Sequence, residues 1–145
     1  MKTFKLLSIF TIIFSFSQCA SLQLENNSPF KVITASFINW SGGQQGVKGM
    51  NVEIHYSSNK TIEFDKIYFE DKVANLEVKP SSKNKLVVGF FSDNSEFLDT
   101  DKKEFFNLNK KEAIISYKED NKLKYYKIKE VKQGKQVFYP SAPKQ

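Results

Sequence analysis

The stretch MNVEIHY, Met50 to Tyr56, alternates apolar and polar residues without a break. Met50, Val52, Ile54 and Tyr56 fall on one phase; Asn51, Glu53 and His55 fall on the other. In an extended chain successive side chains project to opposite faces, so this pattern predicts a strand with one face in a core and one in water. Upstream, Phe30 to Trp40 (FKVITASFINW) is β-branched and aromatic, and its apolar phase changes between Val32 and Ile33. A bulge, or a strand that moves between sheets, produces such a change. Downstream, Ser57 to Lys60 (SSNK) reads as a turn. Thr61 to Glu70 reads as a strand with Ile62 and Phe64 on one phase and Ile67 and Phe69 on the other. Glu70-Asp71-Lys72 turns into Val73 to Lys79, where Ala74, Leu76 and Val78 alternate with polar residues. Pro80 to Asn84 turns again into Lys85 to Phe91 (KLVVGFF), a continuous apolar run of the kind expected for an interior strand.

The C-terminal third continues the pattern less clearly. Ser92 to Asp101 is polar and irregular, and Phe105, Phe106 and Leu108 suggest a short strand or one helical turn. Glu112 to Tyr117 and Lys122 to Val131 flank Asp120-Asn121, which suits a two-residue hairpin turn. Gln136 to Tyr139 reads as a last edge strand stopped by Pro140. No 12-residue window beyond the leader keeps a 3.6-residue period. Strands without crossover helices close a core by stacking face to face. The expected fold is therefore all-β, an antiparallel β-sandwich of immunoglobulin-like architecture with about seven or eight strands. A small open barrel is the alternative. The chain has 145 residues, 40% of them hydrophobic, which suits one domain with an ordinary core.

The N-terminus carries an address. Lys2 and Lys5 precede Leu6 to Ser17 (LLSIFTIIFSFS), twelve residues without a charge. That run is shorter than the roughly 20 residues a membrane span needs, and it matches a secretory signal. The only cysteine, Cys19, follows directly, with Ala20 and Ser21 after it. The arrangement resembles a bacterial lipoprotein signal, which implies lipidation at Cys19 and, with Ala20 next, sorting to the outer membrane. Ordinary cleavage after Ser17 is the alternative and would give a soluble periplasmic or secreted protein. It would also leave a stray thiol in an oxidising compartment, which favours the lipid. The expected organisation is a signal peptide at 1–18, a polar tether at 19–29, a domain at 30–140 and a tail at 141–145.

Charge narrows the partners. The net charge of +6 falls to +4 once the leader is removed, and every basic residue is lysine. Without arginine the chain lacks the forked donor that reads phosphates and guanine edges, so nucleic acid is not an expected partner. From Lys118 onward eight lysines stand against Glu119, Asp120 and Glu130. Exposed strand lysines keep edges soluble, and a lysine-rich end also suits anionic headgroups.

Residues for chemistry are few. The single histidine, His55, sits on the polar phase of its strand, and no G-x-S-x-G is present. A nucleophile–base pair or a zinc site asks for more. Asp93, Glu96, Asp99 and Asp101 offer oxygen ligands but lack calcium-loop spacing, and Lys102 and Lys103 follow them. No catalytic residue, metal or cofactor is expected, so the reading is a non-catalytic binding or structural module. A subunit of an envelope assembly and a small hydrolase are the alternatives. The connection Ser41 to Gly49 (SGGQQGVKG) holds Gly42, Gly43, Gly46 and Gly49, four of the chain's six glycines, beside the only tryptophan, Trp40. It does not match a phosphate loop, because a strand follows rather than a helix. Trp40 with these four glycines is the candidate binding loop, since glycine lets a partner approach the backbone and tryptophan supplies contact area.

Three stretches together resemble small envelope lipoproteins of Bacteroidetes-type bacteria: Ser17 to Ser21 (SQCAS), the Trp40–Gly49 loop running into a strand, and Phe106 to Tyr126 (FNLNKKEAIISYKEDNKLKYY). The lysine-, asparagine- and phenylalanine-rich composition is similar too. The resemblance implies a sandwich-like domain and an envelope location. It implies no catalytic residues. Membrane attachment through the N-terminal lipid follows from the signal reading, and an envelope protein or a glycan is the expected further partner.

Overall fold

The computed structural model describes residues 22–43 and 45–140. The signal segment, Cys19 and the tail at 141–145 lie outside the described residues. The alternating stretch around Val52 does form a strand, and its neighbours follow. The elements are β1 (Lys31–Ser41), β2 (Lys48–Ser57), β3 (Glu63–Phe69), β4 (Lys72–Lys79), β5 (Lys85–Ser92), β6 (Glu96–Phe97), α1 (Thr100–Phe106), β7 (Ala113–Glu119), β8 (Lys122–Ile128), β9 (Lys132–Gln133) and β10 (Val137–Phe138). The all-β expectation holds. Seven strands are seven residues or longer, and the three others are two-residue pairings.

The strands share one ten-stranded sheet in the order β10-β1-β2-β5-β4-β3-β7-β8, with β6 beside β4 and β9 beside β1. The long strands pair antiparallel. β9 and β10 run parallel to β1, so the sheet is mixed rather than wholly antiparallel. The chain reaches that edge by crossing from β8 through Val131, which is buried and donates its N–H to the Lys111 carbonyl at 2.7 Å. It then starts upward beside Ser36, in the same direction as β1. The phase change in β1 is a register shift between Val32 and Thr34, and the one in β3 is a shift between Phe64 and Ile67.

β4 belongs to both halves of the sheet. Its first residues, Lys72 to Asn75, pair with β3, and its last, Leu76 to Lys79, pair with β5. Phe37 on β1 and Phe69 on β3 are four strands apart along the path. In a flat sheet they would be separated by about 19 Å. Their ring centroids are 5.4 Å apart, so the sheet curls over and faces itself. Val52 and Ile54, Ile67 and Phe69, Val87 and Phe91, and Ile115 and Tyr117 meet inside this fold, each nearly or fully buried. Phe30 closes one end of the core, edge-on to Tyr117 at 5.1 Å.

A second apolar cluster lies on the opposite face of β3, β7 and β8. There Tyr68, Ile114 and Tyr125 are covered by Phe106 of α1 and by Leu22, Leu24, Leu98 and Leu108. The segment expected to give one helical turn or a short strand thus supplies a seven-residue helix that begins earlier. Asp99 caps it by accepting the Lys102 N–H at 2.8 Å, and Asn107 stops it in the left-handed region. Burying Phe106 contributes on the order of 2–3 kcal/mol. The segment read as a polar tether lies along β8 from Leu22 onward: Leu24 bridges Tyr125, whose carbonyl accepts the Glu25 N–H at 2.8 Å.

Candidate functional site

The β1–β2 hairpin presents the glycine-rich loop. Gly42 donates its N–H to the Val47 carbonyl at 2.6 Å and so closes the loop. Gly46 sits at φ +88°, a conformation that other residues adopt only with strain. Trp40 and Gly49 face each other across the ladder. A Cβ at position 49 would stand 2.4 Å from the Trp40 ring and 2.7 Å from the Phe91 carbonyl oxygen. Glycine is therefore what lets the indole lie flat against its own hairpin. The indole N–H donates to Asn51 Oδ1 at 3.0 Å. Tyr139, just beyond β10, meets the indole ring edge-on at 6.1 Å. Trp40 shares the outward phase of Gly49 and Asn51, and belongs to neither apolar cluster.

Beside this hairpin is a solvent-open cleft of about 340 Å³. Its apolar lining comes from Trp40, Met50 and Phe91. Its charged lining comes from Lys48 and Lys72 on one side of the balance and Glu70 and Asp93 on the other. The β3–β4 turn delivers Glu70, with φ of 48° and 62° at Glu70 and Asp71, and the end of β5 delivers Asp93. Lys72 is held in place by donating to the Ser92 carbonyl at 3.1 Å, with its ammonium 5.8 Å from the Phe97 ring centroid. Of the candidate loop, Trp40 and Gly49 line the cleft; Gly42, Gly43 and Gly46 are not among its described lining residues. Sequence reasoning missed Glu70 and Lys72, and considered Asp93 only as an oxygen ligand for a cation; none of the three was placed with Trp40. They lie 21 or more positions beyond Gly49 and reach it only because β2 pairs β5 and β4 returns beside it.

No family model, curated protein or solved structure matches this chain.

The other chemistry-bearing residues are placed as follows. His55 is half-buried on the outward face of β2, opposite Thr34 and Leu86. Asp99 is occupied as the helix cap and is also paired with the Lys102 ammonium at 2.6 Å. Those two Lys102 contacts, the side-chain one first, hold the Asp99 carboxyl below its ordinary value. Asp93 has gone to the cleft instead. Among the described residues no group of three or more His, Cys, Asp or Glu is arranged to hold a metal. The cleft offers the Trp40 indole and charges of both signs within one shallow basin, with the almost fully buried Met50 and Phe91 beneath it.

Proposed function

We propose that this chain is an exported envelope protein, anchored to the outer membrane through lipid on Cys19, whose domain is a non-catalytic binding module. Its domain is a β-sandwich of immunoglobulin-like architecture. One layer is β10, β1, β2 and β5, the other is β3, β7 and β8, and β4 passes between them. The curl at β4 and the apolar cluster enclosed by it support that layering. The reading of function rests on one observation: the cleft brings Trp40, Met50 and Phe91 together with Lys48, Lys72, Glu70 and Asp93. An amphipathic basin of this kind suits an envelope protein or a glycan, because the Trp40 indole supplies apolar contact while mixed charges select orientation.

Two measurements test the reading. Intact mass of the membrane fraction should carry acyl chains on the native protein and none on Cys19→Ala. Acyl-free native protein would remove the anchor. For the cleft, a photo-crosslinking residue at Lys48 should capture one discrete envelope component, and the same residue at His55 should not. Trp40→Ala, which lies outside both apolar clusters, is expected to leave export and the unfolding midpoint nearly unchanged while reducing the crosslink. Loss of folded protein in that variant would place Trp40 in the core and remove it from the binding surface.

A further inference from the structure

Two features far apart in sequence meet at the β8 edge. One is the N-terminal segment, docked there by Leu24 opposite Tyr125 and by the Glu25 N–H bond to the Tyr125 carbonyl. The other is the lysine-rich stretch Lys122 to Lys132, five lysines against Glu130 alone. Lys124 and Lys127 are engaged with Glu119 and Glu112 at 2.8 Å and 2.9 Å. Lys122 and Lys129 have no ion-pair partner among the described residues, and neither do Lys110 and Lys111 in the loop that accepts the Val131 N–H. Leu123, on the same outward phase as Tyr125, is 42% exposed beside Lys122 at the turn end of β8, with Lys110, Lys111 and Lys129 at the other end of the same edge.

Chain length then decides what this edge faces. Three residue steps separate Cys19 from Leu22. Fully extended they span at most about 11 Å. A lipid on Cys19 would therefore hold the β8 edge within about a headgroup layer of the acyl chains, because the segment is tied down from Leu22 and not from Phe30. We infer that the β8 edge is a membrane-docking surface, with Leu123 at the headgroup level and Lys110, Lys111, Lys122 and Lys129 against anionic headgroups. This rests on the lipid-anchored reading above and adds an orientation to it. The opposite half of the sheet, with Glu53 and His55 outward, then points away from the bilayer. Lipid combined with a basic surface is also the pairing that turns attachment into stable adsorption.

The test uses the full mature acylated protein in vesicles of phosphatidylethanolamine with phosphatidylglycerol. Cys19 is the only native cysteine and is blocked by its lipid, so a nitroxide placed by Leu123→Cys or Glu53→Cys reports one site. The Leu123 label should be relaxed by membrane-dissolved oxygen and shielded from an aqueous nickel chelate. The Glu53 label should behave in the reverse way. Lys122→Gln and Lys129→Gln should each lower the docked-to-undocked ratio roughly fivefold, the value of one lysine near an anionic surface. If the protein carries acyl chains and both labels are equally aqueous, the docking surface is refuted and the anchor stands. If the protein carries no acyl chain, the anchor reading falls and the docking surface falls with it.

Discussion

Ser116 is fully buried on the outward phase of β7 and does work that its sequence neighbours hide. The register shift in β3 between Phe64 and Ile67 takes Asp65 and Lys66 out of the regular ladder. The Ser116 hydroxyl accepts the Lys66 N–H at 3.0 Å and donates to the Asp65 carboxylate at 3.0 Å. Ser116→Ala removes the partner of a part-buried N–H, and the expected loss is about 1 kcal/mol, read as a lower denaturant midpoint. Tyr117 next door is the contrast. Its hydroxyl is buried with no hydrogen-bond partner, so Tyr117→Phe should be neutral or slightly stabilising. A midpoint that falls in the second variant as far as in the first would overturn this account. Tyr68 sets a pH dependence. Burial, reinforced by Tyr125 and Asp65, pushes its hydroxyl up to about 12 from the ordinary 10.0. Burial raises Tyr56, Tyr117 and Tyr125 as well. A folded-state value above the unfolded one favours the protonated form. The contribution is therefore complete below pH 10 and is lost as pH climbs from 10 towards 12, at about 1.4 kcal/mol per unit of difference. Tyr68→Phe should flatten the fall of the denaturant midpoint across that window, and an unchanged slope would exclude Tyr68 as its source. None of these roles was legible in EAIISY or TIEFDKIYFE. Alternation reveals which face a residue takes, whereas a bulge partner on another strand leaves no local trace.

At the scale of elements the sequence was most legible where one face meets the core. β2 is the clearest case, and the two changes of phase in β1 and β3 do mark the two irregular pairings. The Asp120-Asn121 turn was legible for a chemical reason: both residues sit at positive φ, 52° and 58°, and aspartate and asparagine tolerate that region. α1 was not legible, because a seven-residue helix with one buried side chain, Phe106, is too short to show a period. Also hidden was how closely two strands of the path approach across the core. A Cβ at Gly89 on β5 would stand 2.4 Å from Ile67 Cγ2 on β3. Within KLVVGFF the glycine looks like a weak point in a strand, yet it is where β3 comes too close to β5 for a Cβ. Gly89→Ala is expected to cost about 1–3 kcal/mol through overpacking, read as a lower melting midpoint. Coupling it with Ile67→Val should recover part of the loss, because the methyl it meets is then freer to move. Additive losses in the double variant would show that the approach of β3 and β5 is not what makes alanine costly.

For the whole molecule, the candidate cleft and the β8 edge were only partly legible because both are products of strand order. Trp40 and Gly49 could be singled out, since a lone indole beside four glycines is locally conspicuous. Glu70, Lys72 and Asp93 could not, since nothing in their surroundings predicts that β2 pairs β5 or that β4 bends between two partners. The same topology makes a statement about cooperativity. β4 hydrogen-bonds to β3 with its first half and to β5 with its second. The enclosed cluster draws residues from β1, β2, β3, β5 and β7, so neither half of the sheet has a complete apolar interior of its own. The outer cluster under α1 uses the opposite face of β3, β7 and β8, which cannot persist once those strands separate. Unfolding should then be a single transition. Indole fluorescence reports the β1–β2 hairpin through Trp40, hydrogen exchange at Tyr125 reports the far edge, and far-ultraviolet circular dichroism reports all the strands. The three should share one denaturant midpoint. The pairings that close the core are non-local, β2 with β5 and β3 with β7, so refolding is expected on the slow millisecond-to-second scale of β topologies. A hairpin signal that melts clearly before the exchange signal at Tyr125 would mean that β4 is a hinge between two separately stable layers. The shared-core description would then have to be given up.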